Sequence, residues 1–363
     1  MRHHRIKITI ALLVILLILI SGPNLTWPGS AAKYHLDFLD IKTHDTKPSS
    51  EEIDLDMESS IPTSYPEPFI HPASAPHQTT LILLHGTSQD GPSFGEAFLG
   101  FKIEDNKTLK EIFPGTRFVF PTGKKRWCSV LGRESHAWFD FVSFANRTEG
   151  EEGQVEGLSE SARFLGQLVE GEVNLLLGTD GNGELGGREG DEIGYGKQAV
   201  QRRIVIGGFS QGSAMACVAL LSGVLGGYRG WVIGGFVGLS GWCPFRRQIL
   251  DAVAKAEETF TGPGKFTGAQ KFVSAMQYLQ TLLKLPPMEE GDSVGVQPVP
   301  VFLGHGEDDM KMRVEWGREM GELLGNMGMG VQFRAYEGLE HWWNQDEMRD
   351  LVGFLREGWG VDE

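Results

Sequence analysis

Arg203-Ile204-Val205-Ile206-Gly207-Gly208-Phe209-Ser210-Gln211-Gly212-Ser213-Ala214-Met215-Ala216 is the stretch that decides the fold. A short β-branched run drives into a Gly-x-Ser-x-Gly turn, and an Ala-rich helical stretch follows. That order predicts a strand, one strained residue and a helix. Gly208 and Gly212 lack side chains, so the two elements can close around Ser210 without a clash. The serine hydroxyl is then lifted to the carboxyl edge of a sheet. The backbone N–H of Gln211, opening the helix, points where an oxyanion would form.

A serine so placed needs a base and an acid, in the chain order serine, acid, histidine. Pro300-Val301-Phe302-Leu303-Gly304-His305-Gly306-Glu307-Asp308-Asp309 reads as a buried strand breaking into a loop with three carboxylates. Val331–Tyr336 is a further strand, and Glu337-Gly338-Leu339-Glu340-His341 puts His341 on the loop after it. Met348, Leu351, Val352 and Leu355 then recur at helical spacing. All three residues therefore fall at the C-terminal ends of strands, where a parallel sheet presents its site. His341 would take the Ser210 proton, and a carboxylate would orient the imidazole. His305 stands either as an alternative base or as a brace for its turn. Asp309 is the first choice for the acid and Asp308 the fallback, with Glu307 a solvated loop charge.

Leu81-Ile82-Leu83-Leu84-His85-Gly86-Thr87 is a buried strand opening into a loop. In this architecture an early loop supplies the second oxyanion donor, here the N–H of Thr87.

Six blocks together resemble the phospholipase/carboxylesterase family, which includes the acyl-protein thioesterases. They are His85-Gly86-Thr87, Trp138-Phe139-Asp140, Gly207–Gly212, Leu239-Ser240-Gly241-Trp242, His305–Asp309 and Gly338–His341. They occur in the family's order and span about residues 65–360. The resemblance implies an α/β-hydrolase fold, with a mostly parallel central sheet, helices on both faces and two insertions. It implies cleavage of acyl esters or thioesters without a cofactor. Ser210, Asp309 and His341 match the family's triad, and Thr87 and Gln211 its oxyanion donors. Trp138, Phe139 and Trp242 are expected along the substrate groove. The chain departs from the pattern at its acid loop, Gly306-Glu307-Asp308-Asp309-Met310, where the family usually has Gly-Asp-x-Asp-Pro. Glu340 also replaces an often small residue before the histidine.

The 363 residues suit a single α/β domain, 77–360, with extensions. One insertion, about 178–200, is too rich in glycine and acid to pack and reads as a surface loop. The other, about 252–297, carries Ala252, Val253 and Ala256, then Phe272, Ala275, Met276, Leu279 and Leu282 at helical spacing. It predicts an amphipathic helix, either packed on the core or serving as a cap beside the acyl groove. Helices are also expected over about 158–173, 211–222 and 314–327.

Arg2, Arg5 and Lys7 precede the apolar run 8–20, so residues 1–23 read as a signal peptide or an uncleaved membrane anchor. Either would place the catalytic domain in a lumen or outside the cell; without use of that segment the protein stays cytoplasmic. Residues 24–76, acidic and then proline-rich, read as a disordered linker. Asn24, Asn106 and Asn146 each head an Asn-x-Thr triplet, compatible with a luminal location.

Three cysteines are too few for a disulfide framework, although Cys128 and Cys243 could pair. A net charge of −15 argues against nucleic acid or an anionic membrane surface as partner of the main domain. No metal-ligand spacing and no phosphate-cradling loop before a lysine appears, so neither metal nor cofactor is expected. Two alternatives stand beside an acyl-protein thioesterase-, lysophospholipase- or carboxylesterase-like activity, among whose substrates the sequence does not choose: a secreted carboxylesterase on small or plant-derived esters, and a catalytically silent, membrane-tethered scaffold.

Overall fold

Seven strands form one sheet: β1 (Phe69–His71), β2 (Thr79–Leu84), β3 (Thr116–Phe120), β6 (Ile204–Phe209), β7 (Gly235–Leu239), β8 (Pro300–Gly306) and β9 (Gly330–Tyr336). Two more, β4 (Lys125–Cys128) and β5 (Arg133–His136), make a separate antiparallel hairpin. The computed structural model describes residues 64–178, 200–226, 233–287 and 299–360, all within one unit, Ser59–Glu363. Strand order is β1-β3-β2-β6-β7-β8-β9. Only β1 runs antiparallel, against β3; the other pairs are parallel. From β2 the chain steps outward to β3, then crosses back to β6 on the other side of β2. The topological switch point therefore lies between the carboxyl ends of β2 and β6, where an open α/β sheet forms its crevice.

The strands read as unbroken apolar runs because helices cover both faces. Residues of alternating parity go to opposite sides. Ile82, Leu84, Ile204, Ile206 and Leu303 join one core cluster, under α3 (Val155–Leu177), α4 (Gln211–Ser222), α5 (Arg246–Glu258), α6 (Gly268–Leu282) and α7 (Val314–Asn326). Leu81, Leu83, Val205, Val237 and Phe302 join the other, under α1 (Gly91–Gly100), the first helix among the described residues, and the C-terminal helix α8 (Gln345–Trp359); the short α2 (Leu109–Ile112) lies between α1 and β3 in the chain. Every residue of α4 is buried, which explains why it lacks an amphipathic pattern.

The expected helices form close to their anticipated positions. The insertion at 252–297 contributes α6 and the end of α5, and α6 is a core helix rather than a cap. Its Phe272, Ala275, Met276 and Leu279 are buried, and Gln280 Nε2 donates to Ser222 O at 3.2 Å. That contact is at the C-terminal end of α4, about 18 Å along the helix from Ser210 at its start. The sheet also begins earlier than the linker boundary read at residue 76. β1 pairs with β3 from Phe69, and Tyr65 stacks on Phe164 with ring centroids 3.9 Å apart. Those aromatic contacts give residues 65–71 something to bury against. The apolar run 8–20, the linker to residue 63 and the insertion over 179–199 lie outside the described residues. No helix among the described residues is long and apolar enough to cross a membrane.

The three cysteines are free and buried. Cys128 does not face Cys243, because its Sγ lies in the β4–β5 hairpin against the Arg126 and Ser135 carbonyls. Cys243 instead lies beside Cys217, and hydrogen bonding between the two thiols, with burial, pushes Cys217 well above the ordinary thiol range.

Glu347, in the first turn of the C-terminal helix, is fully buried, and neither carboxyl oxygen has a hydrogen-bond partner. Room for it comes from Gly304 on β8, where an added Cβ would meet Glu347 Oε1 at 2.1 Å. Burial, followed by the negative charges of Asp309 and Asp350, raises its pKa to about 8. A carboxyl raised above its unfolded value binds its proton more tightly in the fold. The associated stability is complete below the unfolded pKa and is lost as pH rises through the folded one. Thermal denaturation should therefore show wild type losing on the order of 3 kcal/mol between pH 5 and 8 from this group. Glu347→Gln should remove that pH-dependent component.

Candidate active site

Strand β6 ends at Phe209, and the next residue holds φ 56° and ψ −120°. That backbone is costly for a side chain larger than glycine, about 1–3 kcal/mol. Three contacts hold Ser210 there. Its N–H donates to Leu239 O on β7 at 2.8 Å, and its C=O accepts from Ala214 at 3.1 Å. Gly212 packs directly on β2, since a Cβ on it would stand 2.2 Å from Leu84 O. Gly208 is equally closed, with Leu84 O at 2.7 Å. The Gly-x-Ser-x-Gly pattern also fits Gly91–Gly95, but there it opens a helix and Ser93 is a capping residue bonded to Asp90.

Ser210 Oγ lies 3.0 Å from His341 Nε2, and His341 Nδ1 lies 2.6 Å from Asp309 Oδ2. The strands explain the meeting. β8 and β9 are parallel neighbours, and their following loops are stitched by backbone bonds, Glu307 N to Tyr336 O at 3.0 Å and Asp308 N to Leu339 O at 3.1 Å. Within the acid loop, Asp309 Oδ1 accepts from Lys311 N at 2.9 Å and Met312 N at 2.8 Å. Asp309 is buried and Asp308 exposed, so the register of the loop turns Asp309, not Asp308, toward the imidazole. Burial pushes the Asp309 carboxyl upward. The hydrogen bond and charge of His341, with the two backbone donors, outweigh it and hold the group below its ordinary value.

The other expected residues divide. His305 is a brace, its Nε2 2.8 Å from Met312 O, and burial lowers its pKa. Its Nε2 also lies 3.7 Å from Asp309 Oδ2, and the imidazole bonded to Ser210 Oγ is that of His341. Gly86 abuts the serine, since a Cβ there would lie 3.4 Å from Ser210 Cβ. The Thr87 loop therefore sits beside the elbow. Neither the Thr87 nor the Gln211 N–H donates to a protein acceptor among the described residues.

Trp138 and Phe139 were expected along a groove, but both are fully buried. The Gln211 side chain clamps them: Oε1 accepts from Trp138 N at 3.1 Å and Nε2 donates to Phe139 O at 2.7 Å. Trp138 Nε1 in turn donates to His85 O at 2.9 Å. These residues underpin the site as its floor. Trp242 is also buried, at the edge of a cavity of about 240 Å³ lined with Arg147, Arg246, Arg313 and Trp316.

His85 is fully buried, and burial lowers its pKa to about 4. Nε2 accepts from Gly123 N at 2.9 Å, so Nδ1 carries the proton toward Gly86 O. Sequence reasoning missed Arg147 and Glu347, two charged side chains buried near the acid loop; nothing in their local patterns separates them from solvated charges.

With this geometry in view, the chain matches the model of the phospholipase/carboxylesterase family over residues 66–262, more than half its length. It belongs to that family. Acyl-protein thioesterase 1 of Yarrowia lipolytica is 27% identical over 289 residues, covering 79% of this chain and 94% of that protein. The protein of the same name from Gibberella zeae is 25% identical over 292 residues, covering 80% and 94%. The crystal structure of Zea mays acyl-protein thioesterase 2 shares the fold, with a TM-score of 0.51 and 20% identity, over 82% of this chain and 100% of that one. The family member described here is an α/β-hydrolase acting on ester bonds.

Gly212→Ala should cost about 3 kcal/mol or more in chemical denaturation, because its Cβ would have to displace the β2 backbone. Gly171→Ala, in the middle of α3 with open space around it, should instead stabilise by about 0.5–1 kcal/mol.

Proposed function

We propose that this protein hydrolyses acyl esters and thioesters through Ser210, His341 and Asp309, with a covalent acyl-serine intermediate. The observation that carries the reading is the unbroken contact chain from Ser210 Oγ through both imidazole nitrogens to Asp309 Oδ2. It starts at a serine held at positive φ. His341 Nε2 takes the hydroxyl proton as Oγ attacks the acyl carbon, and Asp309 stabilises the imidazolium that forms. The carbonyl oxygen becomes an oxyanion received by the N–H groups of Gln211 and Thr87. Collapse breaks the bond to the leaving alcohol or thiol, to which His341 returns the proton. Water then attacks the acyl-serine by the same route, releasing the acid and regenerating Ser210.

The names of the matched relatives point to acyl-protein thioesters as the substrate class. A carboxylesterase acting on small esters would use the same array, and acyl-chain profiling with alcohol and thiol leaving groups distinguishes the two. A silent scaffold has no need of a strained serine aligned with a paired imidazole.

Ser210→Ala should abolish labelling by a fluorophosphonate probe and lower kcat by about 10⁶-fold, with the melting curve unchanged. Labelling that survives in Ser210→Ala and is lost in Ser240→Ala would overturn the assignment.

Asp309→Asn should cost on the order of 10⁴ in kcat, less than Ser210→Ala. Asp308→Asn should change it by less than about twofold, since that carboxylate faces solvent. Steady-state kinetics on a short-chain ester reads both.

A further inference from the structure

Arg147 is 7% exposed, and no carboxylate lies within ion-pair distance of it among the described residues. Four aromatic rings surround its guanidinium. The centroid distances are 4.7 Å to Phe141, 5.3 Å to Phe144, 4.6 Å to Trp242 and 5.3 Å to Trp316. Such contacts stabilise a cation whose hydration has been removed. Nη1 donates to Ser143 O at 3.1 Å, and Nη2 to Lys311 O at 3.2 Å while closing on Met312 Sδ. Nε is left without a partner.

Burying a guanidinium without a carboxylate partner is costly, and its hydrogen bonds and ring contacts offset that cost only at this position. Its two inter-loop contacts are both in the acid loop. Lys311 and Met312, which Arg147 grips through a carbonyl oxygen and a sulfur, are the residues whose N–H groups bind Asp309 Oδ1. The other oxygen of the same carboxylate meets His341 Nδ1.

We infer that Arg147 is a positioning residue: it locks the acid loop to the Ser143 turn and to Trp242, so that Asp309 Oδ2 stays aligned with His341 Nδ1. His305 holds the same loop from the sheet side, through Met312 O. Arg147 holds it through Lys311 O and Met312 Sδ and adds a charge of the sign that suits an ionised Asp309. Burial lowers the Arg147 pKa to about 10, and Asp309 acts against that shift. Arg147 therefore stays protonated throughout the physiological range. The inference rests on the proposed triad, and the experiment separates the two.

Arg147→Met keeps an unbranched apolar stem, though a shorter one, and removes the charge and both donors. Steady-state kinetics on a short-chain ester should show kcat falling about 10- to 100-fold, the scale for a misaligned catalytic pair, with KM changed less than about threefold. Proton NMR should show the far-downfield His341 Nδ1–H resonance of wild type lost or broadened. A control for general destabilisation is Phe113→Leu, in the opposite core cluster, which should keep kcat and the resonance at a comparable loss of melting temperature. Should Arg147→Met not fold, Arg147→Lys serves. It keeps the cation but can reach only one of the two anchoring carbonyls, so kcat should fall about three- to tenfold with the resonance weakened.

Wild-type kcat in whichever of these variants folds, an unchanged resonance, or a Phe113→Leu loss of the same size would each overturn the positioning role. His341→Ala and Asp309→Asn run alongside. If those two are active the triad reading fails; if they are inactive while the Arg147 variant matches wild type, only this inference does.

Discussion

Gly212, at the start of the helix behind Ser210, touches the Leu84 and His85 carbonyls at the end of β2 with no space for a side chain between them. The rest of the site depends on this approach. It brings the helix against the sheet directly behind Ser210, and the strained backbone of the serine follows from having to turn within one residue of that contact. It also sets the loop after β2 beside the serine, where a Cβ on Gly86 would meet Ser210. Because β2 and β6 flank the topological switch point, the same contact that closes the core opens the crevice.

Around that point burial and hydrogen-bond donors together set the protonation of the polar groups. Asp309 and Glu347 are both buried carboxyls within electrostatic reach of each other. Asp309 receives hydrogen bonds from His341, Lys311 and Met312, and it lies below its ordinary pKa. Glu347 receives none at its carboxyl oxygens and keeps its proton toward pH 8. Two carboxyls in one region thus differ in protonation at neutral pH, Glu347 neutral and Asp309 ionised, as environments that push pKa values apart allow. A neutral Glu347 leaves Asp309 as the charged partner of the imidazole. His85 is kept neutral by burial, against the pull of the Gly86 carbonyl, and its two defined partners fix the tautomer, so it acts as a fixed post for the Trp138 floor.

The side chains that shape the site act mostly through backbone. Gln211 clamps the Trp138–Phe139 segment, His305 and Arg147 each bond to a backbone carbonyl of the acid loop, and the loops after β8 and β9 bond to each other directly. Loops tied at this many points keep a hydrogen-bonded array within the few tenths of an ångström that proton transfer requires.

Local pattern alone was enough for the strand–Ser210–helix turn, the buried strands at 81–84, 204–206 and 300–303, the main helices, and the placing of a carboxylate-rich loop and His341 after later strands. These follow from periodicity and from glycines where no side chain fits, properties carried by neighbouring residues. The choice of Asp309 over Asp308 came from resemblance and needed the loop register to be seen, because both are acidic and adjacent. The groove expectation for Trp138 and Phe139 failed because a tryptophan after a strand looks the same whether it faces ligand or core; the Gln211 clamp decides it from 73 residues away. Arg147 and Glu347 were invisible for the same reason. Whether a charge is solvated or buried depends on Trp242, Trp316 and Gly304, which are distant in the chain and meet those residues only when the sheet is assembled.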